Sequence, residues 1–246
     1  MAATRFPGKP LADICGRPMV QWVYERALRA KGVSGALIAT CDREIADAVR
    51  AFGGQVAMTS GAHRSGTDRV AEAAADLDAD VIVNLQGDEP LIDPASIDRA
   101  LEPFAQSHDV VMTSLMVPID HHAAADENLV KVVVDLENWA LYFSRRPIPF
   151  FRAATSASPP SGDEGTAVIF GHVGLYAYTR DFLLTFASLP PTPLEQAESL
   201  EQLRALEHGY RIKMVQVSKR PLGVDTPEDL ERVRRAIRLL QRSSDS

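Results

Sequence analysis

The sequence has very little cysteine, and this limits the kinds of site and framework it can build. Only Cys15 and Cys41 are present among 246 residues, and they lack the spacing of a CxxC pair. Their number excludes a disulfide framework and a zinc site with four thiolate ligands. We predict that both are reduced and pack as small apolar residues.

Long apolar runs and an excess of positive charge are also absent. No run approaches the roughly 18 apolar residues that span a bilayer, and the first residues lack the basic-then-apolar order of a secretory signal. Lys and Arg total 26 against 33 Asp and Glu, a formal net charge of -7. A chain of this charge does not attract nucleic acid through its overall field. We therefore predict a cytoplasmic protein with neither a membrane nor a nucleic-acid partner.

The first hundred residues alternate short apolar runs with segments of helical periodicity. GALIAT (35–40), QVAMTS (55–60) and DVIVNLQ (80–86) are predicted strands, with amphipathic helices between them. Alternation of this kind is typical of a doubly wound α/β sheet with parallel strands. Between about residues 110 and 180 the runs become β-rich, which predicts further strands of the sheet and a smaller antiparallel lobe. We interpret residues 1–246 as one domain with a mixed, mostly parallel sheet.

Two further segments complete the predicted organisation. Residues 153–166 are rich in Ser, Pro and Gly and predict a mobile surface loop, for which a lid and a plain linker would look alike. The C-terminal part predicts a helix at about 195–208, a strand at 211–217 and a last helix that Thr226 caps.

A basic loop near the start suits a polyphosphate. TRFPGKPL places Arg5, Gly8 and Lys9 ahead of a helix whose first backbone N–H groups are free. The spacing is not that of a P-loop, and a solvated basic turn is the alternative interpretation.

Two acidic motifs suit a magnesium ion. QGDEP (86–90) follows the most apolar predicted strand, so Asp88 would stand at the carboxyl edge of the sheet, where ligands bind in open α/β folds. Mg²⁺ prefers carboxylates together with substrate phosphates, and an acidic turn is the alternative. GVDTPEDL contributes Asp225, which could be a second ligand or part of a helix cap. The ligand role requires the fold to bring Asp225 beside Asp88.

Polar side chains elsewhere are weaker candidates. SGTDR carries Arg69 after a Ser/Gly turn, and His172 and Tyr176 stand four apart in a predicted strand, so they share a face and could line one pocket wall. A half-buried structural histidine is the alternative. His121 and His122 lie in a polar stretch and are predicted to be on the surface. The arginines of the last helix are predicted to form a solvated face rather than a nucleic-acid stripe.

The order of these motifs resembles one enzyme family over nearly the whole chain. From Thr4 to about Arg235 run TRFPGKPL, HRSGTDR, NLQGDEP, ALYFSRRPIPF, GHVGLYAY, LEQLRALEHG and GVDTPEDLERVR. This series resembles the 3-deoxy-manno-octulosonate cytidylyltransferase (CMP-Kdo synthetase) family. QGDEP and GVDTPEDL together with the basic loop are specific, although each alone would be weak.

The resemblance implies a nucleotide-diphospho-sugar transferase-like fold and a homodimeric, Mg²⁺-dependent enzyme. Such an enzyme converts CTP and Kdo into CMP-Kdo and pyrophosphate for lipopolysaccharide biosynthesis. By the same resemblance, Arg5 and Lys9 would hold the CTP phosphates, and Asp88 and Asp225 would ligate Mg²⁺.

The resemblance also implies a set of substrate contacts. Arg69 and Gln86 would lie in the substrate site, and Arg145 would be a basic residue near the sugar carboxylate. The residues implied to contact the sugar are His172, Tyr176, Glu201 and Gln202.

One departure and two alternatives accompany the resemblance. Family members open with an apolar strand ending in PAR, and this chain begins just after that point, so we expect a longer form with that strand to be more stable and more active. The acceptor could instead be an 8-amino analogue of Kdo or another acidic sugar. A CTP-binding protein that has kept the fold but lost catalysis is the alternative outside the enzymes.

Overall fold

The protein is described by a computed structural model that covers Phe6, residues 8–151 and residues 168–244, without the side chains of 242–244. Arg5 and the predicted loop at 153–166 lie outside the described residues. The chain forms two compact units. Unit 1 consists of Met1–Leu101 and Pro221–Ser246, and unit 2 consists of Glu102–Arg220.

Helices and strands alternate through the described ranges, and a short 3-10 helix occupies Lys9–Leu11. The α-helices are α1 (Met19–Ala27), α2 (Arg43–Ala51), α3 (Gly66–Ala74), α4 (Pro94–Gln106), α5 (His121–Ala124), α6 (Arg180–Ser188), α7 (Pro193–Glu198), α8 (Gln202–Glu207) and α9 (Pro227–Ser244). The strands are β1 (Asp13–Ile14), β2 (Arg17–Pro18), β3 (Ile38–Thr40), β4 (Val56–Met58), β5 (Val81–Asn84), β6 (Met112–Ile119), β7 (Lys131–Val134), β8 (Ala140–Ser144), β9 (Ile169–Thr179) and β10 (Lys213–Gln216).

Unit 1 has the predicted alternation of strand and helix. β3 pairs with β4 in parallel, whereas β1 and β2 form a short antiparallel pair. Local side chains start the helices: Asp42 accepts from the backbone N–H groups of Glu44 and Ile45, and Ser65 forms a capping box with Asp68. These caps satisfy N–H groups that the first turn leaves free. Short polar residues ahead of apolar periodicity therefore set where these helices begin.

The core of unit 1 joins the start of the chain to its last helix. Leu230, Val233 and Ile237 form one apolar face of α9 and pack in a buried cluster with residues of β1 and α1. The cluster also holds Val224, which is fully buried and directly precedes Asp225. Trp22 belongs to it as well, and its indole N–H donates to the carbonyl of Ile14 at 2.9 Å. The core thereby fixes the backbone on which Asp225 stands.

Unit 2 contains a sheet in the order β10-β6-β9-β7-β8. β10 pairs with β6 in parallel, and the remaining pairs are antiparallel. The first six residues of β6 are buried, as are most of those in β9. The predicted mixed α/β fold with parallel strands and a smaller antiparallel part is thus confirmed.

A bulge interrupts the pairing of β9 with β6. Ser114 lies opposite Tyr176, and the next residue of β6 lies opposite Val173, so Gly174 and Leu175 are extra residues on β9. A bulge bends its strand and re-aims the neighbouring side chains. His172 and Tyr176 flank this bulge, so it changes how their side chains are placed relative to each other.

Several expectations differ from the structure. The helix predicted at 195–208 is two helices, because Ser199 adopts left-handed backbone angles with φ 52 between α7 and α8. Helix α6 was not predicted. Cys41 is exposed, so the prediction that it packs in the interior is wrong, whereas Cys15 contacts the buried cluster of unit 1. Within the ranges described, no helix is long and apolar enough to cross a membrane.

The turn between α2 and β4 generates a prediction about packing. A Cβ built on Gly54 would lie 2.5 Å from Cε2 of Phe52 and 2.9 Å from Cγ1 of the fully buried Val49. Gly54→Ala must therefore displace both side chains. We expect it to lower the free energy of unfolding by about 1–3 kcal/mol, measured by urea denaturation.

Gly35→Ala is the matched control, since Gly35 precedes β3 as Gly54 precedes β4. A Cβ on Gly35 meets nothing within 4 Å. This variant should be neutral or slightly stabilising through its effect on the unfolded chain. Equal stability of the two variants would contradict the proposed crowding at Gly54.

Candidate functional site

Three charged side chains from distant parts of the chain meet in unit 1. Lys9 opens the 3-10 helix, Asp88 follows β5, and Asp225 precedes α9. The Lys9 Nζ donates to Asp88 Oδ2 at 2.6 Å, to the Val224 carbonyl at 2.9 Å and to Asp225 Oδ1 at 3.4 Å. We call Lys9, Asp88 and Asp225 the charged cluster. The tertiary structure thus brings Asp225 beside Asp88, as a shared site requires.

Backbone contacts fix the two acidic loops against each other. The Val224 N–H donates to the carbonyl of Asp88 at 2.9 Å. The Lys9 side chain is only 13% exposed, whereas that of Asp225 is 76% exposed. The cluster is therefore anchored on one side and open to a ligand on the other.

The donor set of the charged cluster fits a magnesium ion. Both carboxylates contact one ammonium, so their oxygens already surround a cation, and two negative charges against one leave the cluster with a net charge of -1. Mg²⁺ binds proteins through one or two carboxylates and takes its other oxygens from water and phosphates. In the described part of the chain, no group of three or more His, Cys, Asp or Glu could hold a metal. An ion held by Asp88 and Asp225 would therefore depend on ligand oxygens.

Arg69 lies in α3 and binds the loop that precedes this helix. Its Nη1 donates to Thr59 Oγ1 at 2.7 Å and to the carbonyl of Ser60 at 3.4 Å. Glu72 holds the same loop by accepting from the Ser60 N–H and contacting the His63 ring. The hydrogen bond from His63 is the largest of the causes that lower the Glu72 pKa.

Gln86 is exposed after β5, and its carbonyl accepts from the Glu89 N–H at 3.3 Å. Among the hydrogen bonds and ion pairs of the described residues, none joins Arg69 or Gln86 to the charged cluster. The roles that the resemblance implies for Arg69 and Gln86 stay predictions.

A second group of candidate residues lies in unit 2, around the bulge of β9. The rings of His172 and Tyr176 are 5.4 Å apart between centroids. Four steps along a regular strand would separate their Cα atoms by about 13 Å. On β9 these four steps pair with only two steps of β6, from Ser114 to Met116, so the bulge shortens the path between His172 and Tyr176.

Burial determines the protonation of His172. Desolvation, and secondly the positive charge of Arg220, lower the pKa of His172 from 6.5 to about 3. The ring is therefore neutral near pH 7, with one N–H donor and one acceptor nitrogen.

The Ser114 hydroxyl determines which ring nitrogen of His172 carries the proton. Ser114 Oγ lies 2.8 Å from the carbonyl oxygen of Leu175 and 2.8 Å from His172 Nε2. A carbonyl cannot donate, so the hydroxyl proton goes to Leu175, and Nε2–H must donate to Oγ. We assign the proton to Nε2 on this argument, which leaves Nδ1 as an acceptor.

Tyr176 and the start of α8 add polar groups to the same unit. Burial, and secondly the negative charge of Glu201, raise the pKa of Tyr176, so its hydroxyl stays protonated. Gln202 is 4% exposed, and its Nε2 has no hydrogen-bond partner within the described ranges. A buried donor without a partner is costly. A ligand oxygen would remove this cost, and the role of Gln202 in sugar binding that the resemblance implies stays a prediction.

Arg145 follows β8 and binds backbone carbonyls of unit 2. Its Nε donates to the carbonyl of Glu198 at 2.8 Å, Nη1 to that of Glu127 at 3.3 Å, and Nη2 to that of Ser199 at 3.4 Å. A guanidinium has five N–H donors, so two are left for an anion. The predicted role of Arg145 near a sugar carboxylate stays a prediction.

The structure also reveals polar residues that the sequence analysis missed. Ser114, Lys131 and Glu198 are joined by hydrogen bonds to candidate site residues or to the backbone that carries them. A signal existed for Lys131, which is the single charge inside the apolar run LVKVVV. For Ser114 and Glu198 no local pattern distinguishes the residue from an ordinary strand or helix position.

Comparison with known proteins finds relatives that match most of the chain. The family model described as Cytidylyltransferase matches residues 1–213. The 3-deoxy-manno-octulosonate cytidylyltransferase of Geobacter sulfurreducens is 56% identical over 234 residues, 94% of each chain. That of Solibacter usitatus is 52% identical over 235 residues, which are 95% of this chain and 90% of the relative.

Solved structures give the same result. The structure of CMP:2-keto-3-deoxy-manno-octonic acid synthetase complexed with CTP is 44% identical and superposes with a TM-score of 0.89, covering 96% of this chain and 94% of its own. A cytidylyltransferase from Leptospira borgpetersenii, 17% identical with a TM-score of 0.61, covers 97% of this chain and 83% of its own and shares the fold.

The family model covers most of the chain, and the relatives are more than half identical from end to end. The chain therefore belongs to the cytidylyltransferase family, among the 3-deoxy-manno-octulosonate cytidylyltransferases (CMP-Kdo synthetases), which are nucleotidyltransferases.

Proposed function

We propose that this chain activates 3-deoxy-manno-octulosonate (Kdo) with CTP and releases CMP-Kdo and pyrophosphate. The names of its relatives and the CTP complex of its structural relative support both substrates. The observation that carries the proposal is the charged cluster, in which Lys9 lies between Asp88 and Asp225. Its open, acidic side suits a triphosphate that arrives with a divalent cation.

The reaction requires charge neutralisation around the α-phosphate. The anomeric hydroxyl of Kdo attacks the α-phosphorus in line while pyrophosphate leaves, so negative charge concentrates on the phosphate oxygens. Lys9 and Arg5 would bind these oxygens. Asp88 and Asp225 would hold Mg²⁺, which when bound neutralises phosphate charge and lowers the pKa of a coordinated hydroxyl.

Lys9 has a second task before the nucleotide binds. Its ammonium lies between two carboxylates that would otherwise repel each other, and it also donates to the Val224 carbonyl. When a triphosphate enters, the ammonium can donate to phosphate oxygens while the carboxylates take the incoming cation. Lys9 thereby keeps the empty site assembled and offsets part of the phosphate charge in the filled site.

The sugar would be bound in unit 2 by hydrogen bonds, most of them to uncharged side chains. His172 would accept a hydrogen bond from a sugar hydroxyl at Nδ1, because Nε2–H already donates to Ser114. The Tyr176 hydroxyl and the Gln202 amide would donate to sugar oxygens, and Glu201 would accept. The two remaining N–H groups of Arg145 would suit the Kdo carboxylate.

The resemblance supports further parts of the proposal. We place Arg69 and Gln86 in the substrate site and expect a homodimer. We further expect the product to serve lipopolysaccharide biosynthesis in the cytoplasm.

The first prediction concerns the reaction itself. Pyrophosphate release, measured with CTP, Kdo and Mg²⁺, should require all three components. Release with an 8-amino analogue but not with Kdo would replace the acceptor in the proposal. CTP binding without release from any acidic sugar would favour a protein that binds the nucleotide only.

The second prediction concerns the metal. Asp88→Asn and Asp225→Asn should each lower kcat by about 100-fold or more, because each removes charge that binds the cation at the reacting phosphate. Both variants should also need more Mg²⁺ for half-maximal rate, and EDTA should abolish activity of the unmodified chain.

Asp109→Asn is the control for these two variants, since Asp109 is exposed in unit 2. It should leave both kcat and the Mg²⁺ requirement unchanged. Full activity of Asp88→Asn or Asp225→Asn would remove that residue from the metal site.

The third prediction follows from the neutral state of His172. Its pKa is about 3 in the folded chain and 6.5 as the ordinary value, so below pH 6.5 the unfolded chain binds the proton preferentially. His172 should therefore cost about 2 kcal/mol of stability between pH 7 and pH 5. His172→Gln should lose correspondingly less stability over this interval, measured by urea denaturation at both pH values.

His108→Gln is the control, because His108 is exposed. This variant should lose as much stability between pH 7 and pH 5 as the unmodified chain does. An unchanged loss in His172→Gln would show that the ring is protonated in the folded state.

A further inference from the structure

Lys131 is a fully buried lysine in the apolar strand β7. Its Nζ donates to three backbone carbonyls, those of Asp126 at 2.9 Å, Leu129 at 2.6 Å and Arg145 at 2.5 Å. An ammonium group has three donors and no acceptor. The three carbonyls therefore use all of its hydrogen-bonding capacity.

Burial of this charge is costly and must be offset by what it binds. The pKa of Lys131 is lowered overall, mainly by desolvation and also by the positive charge of Arg145, while the nearby carboxylates of Asp126, Glu127 and Glu198 oppose this shift. A hydrocarbon side chain would fill the space without the desolvation cost, but it would remove one hydrogen-bond donor from each of three carbonyls, of which that of Asp126 also accepts from the Leu129 N–H. The ammonium thus has a structural task that an apolar residue cannot perform.

That task is to hold the backbone at Arg145 close to the turn at 126–129. Lys131 binds the carbonyl of Arg145 and two carbonyls of the turn at 126–129. The Arg145 side chain returns to the same turn through the carbonyl of Glu127. Lys131 and Arg145 therefore tie the end of β8 to this turn from two directions.

Arg145 then fixes the segment that leads to Glu201 and Gln202. Its guanidinium donates to the carbonyls of Glu198 and Ser199, the last residue of α7 and its left-handed neighbour. The Glu198 carboxylate accepts from Ser144 Oγ at 2.6 Å and from the Arg145 N–H at 2.9 Å. The connection between α7 and α8 is thus clamped onto the end of β8.

We propose that Lys131 is a positioning residue for the acceptor sugar, and that it acts through Arg145 and Glu198 on the segment Ser199–Gln202. By holding this segment in one conformation, Lys131 presents Glu201 and the buried Gln202 amide to the acceptor. The inference rests on the proposed function, because it assumes that these two residues bind the sugar. It assigns Lys131 no contact with either substrate.

The test compares the effect of one substitution on KM for Kdo with its effect on KM for CTP. Lys131→Met keeps the volume of the side chain and removes all three donors, so KM for Kdo should rise about tenfold or more. KM for CTP should stay within about twofold, since the network consists of residues of unit 2 and the charged cluster of residues of unit 1. A role in stability alone would lower the active fraction, and with it the apparent kcat, while leaving both KM values unchanged.

Lys213→Met is the matched control. Lys213 also lies on a strand of unit 2 and also donates to a backbone carbonyl, that of Glu137 at 2.5 Å, but it does not contact the Ser199–Gln202 segment. Its KM for Kdo should be unchanged. A folded Lys131→Met with the KM for Kdo of the unmodified chain would overturn the proposal.

A second variant decides the case in which Lys131→Met fails to fold. Glu198→Gln retains one acceptor oxygen for Ser144 and Arg145, so it should raise KM for Kdo by about threefold to tenfold, again without effect on CTP. An unchanged KM for Kdo in this variant overturns the proposal. Failure of the unmodified chain to use Kdo would instead overturn the proposed function, so the two failures are distinct.

Discussion

Asp88 and Asp225 stand on two loops of unit 1 that are distant in the sequence, and each carries a negative charge toward the other. The Lys9 ammonium lies between them, and the hydrogen bond from the Val224 N–H to the Asp88 carbonyl joins the loops beneath it. Val224 in turn belongs to the buried cluster that α9 forms with β1 and α1. Apolar burial therefore supports an arrangement of charges that would not hold itself together. The proposed nucleotide and metal chemistry depends on this support.

The residues proposed to bind the sugar are kept uncharged by burial, unlike those of the charged cluster. Around the bulge of β9, burial suppresses charge, so His172 is neutral and the Tyr176 hydroxyl stays protonated. The Ser114 hydroxyl donates its proton to the Leu175 carbonyl, so it accepts the hydrogen bond from His172 Nε2–H. Neutral groups of fixed polarity suit the hydroxyl groups of a sugar, whereas the charged cluster suits phosphates. The chain thus presents two kinds of polar group, each matched to one half of the proposed reaction.

The accuracy of the sequence-based predictions depended on the range of the interactions involved. Strands β3, β4 and β5 lie within the three runs predicted as strands, and Thr226 caps α9 as expected, with its Oγ1 accepting from the Asp229 N–H. The helix predicted at 195–208 is interrupted at Ser199, which adopts a left-handed backbone conformation. The Arg145 guanidinium donates a hydrogen bond to the carbonyl of Ser199. Cys41 is exposed, although it was expected in the interior. The prediction was wrong because a single small residue gives no periodic signal of burial.

The sequence by itself determined the alternation of strands and helices, the helix caps and the types of chemical group available, because periodicity, capping and side-chain chemistry act over a few residues. Its motif order also indicated the family. Only the tertiary structure decided which groups meet. It brought Asp225 to Asp88, set the Ser114 hydroxyl against Nε2 of His172, and joined the Lys131 ammonium to the Arg145 carbonyl. These outcomes depend on contacts between different elements of the structure, and no local pattern encodes such contacts.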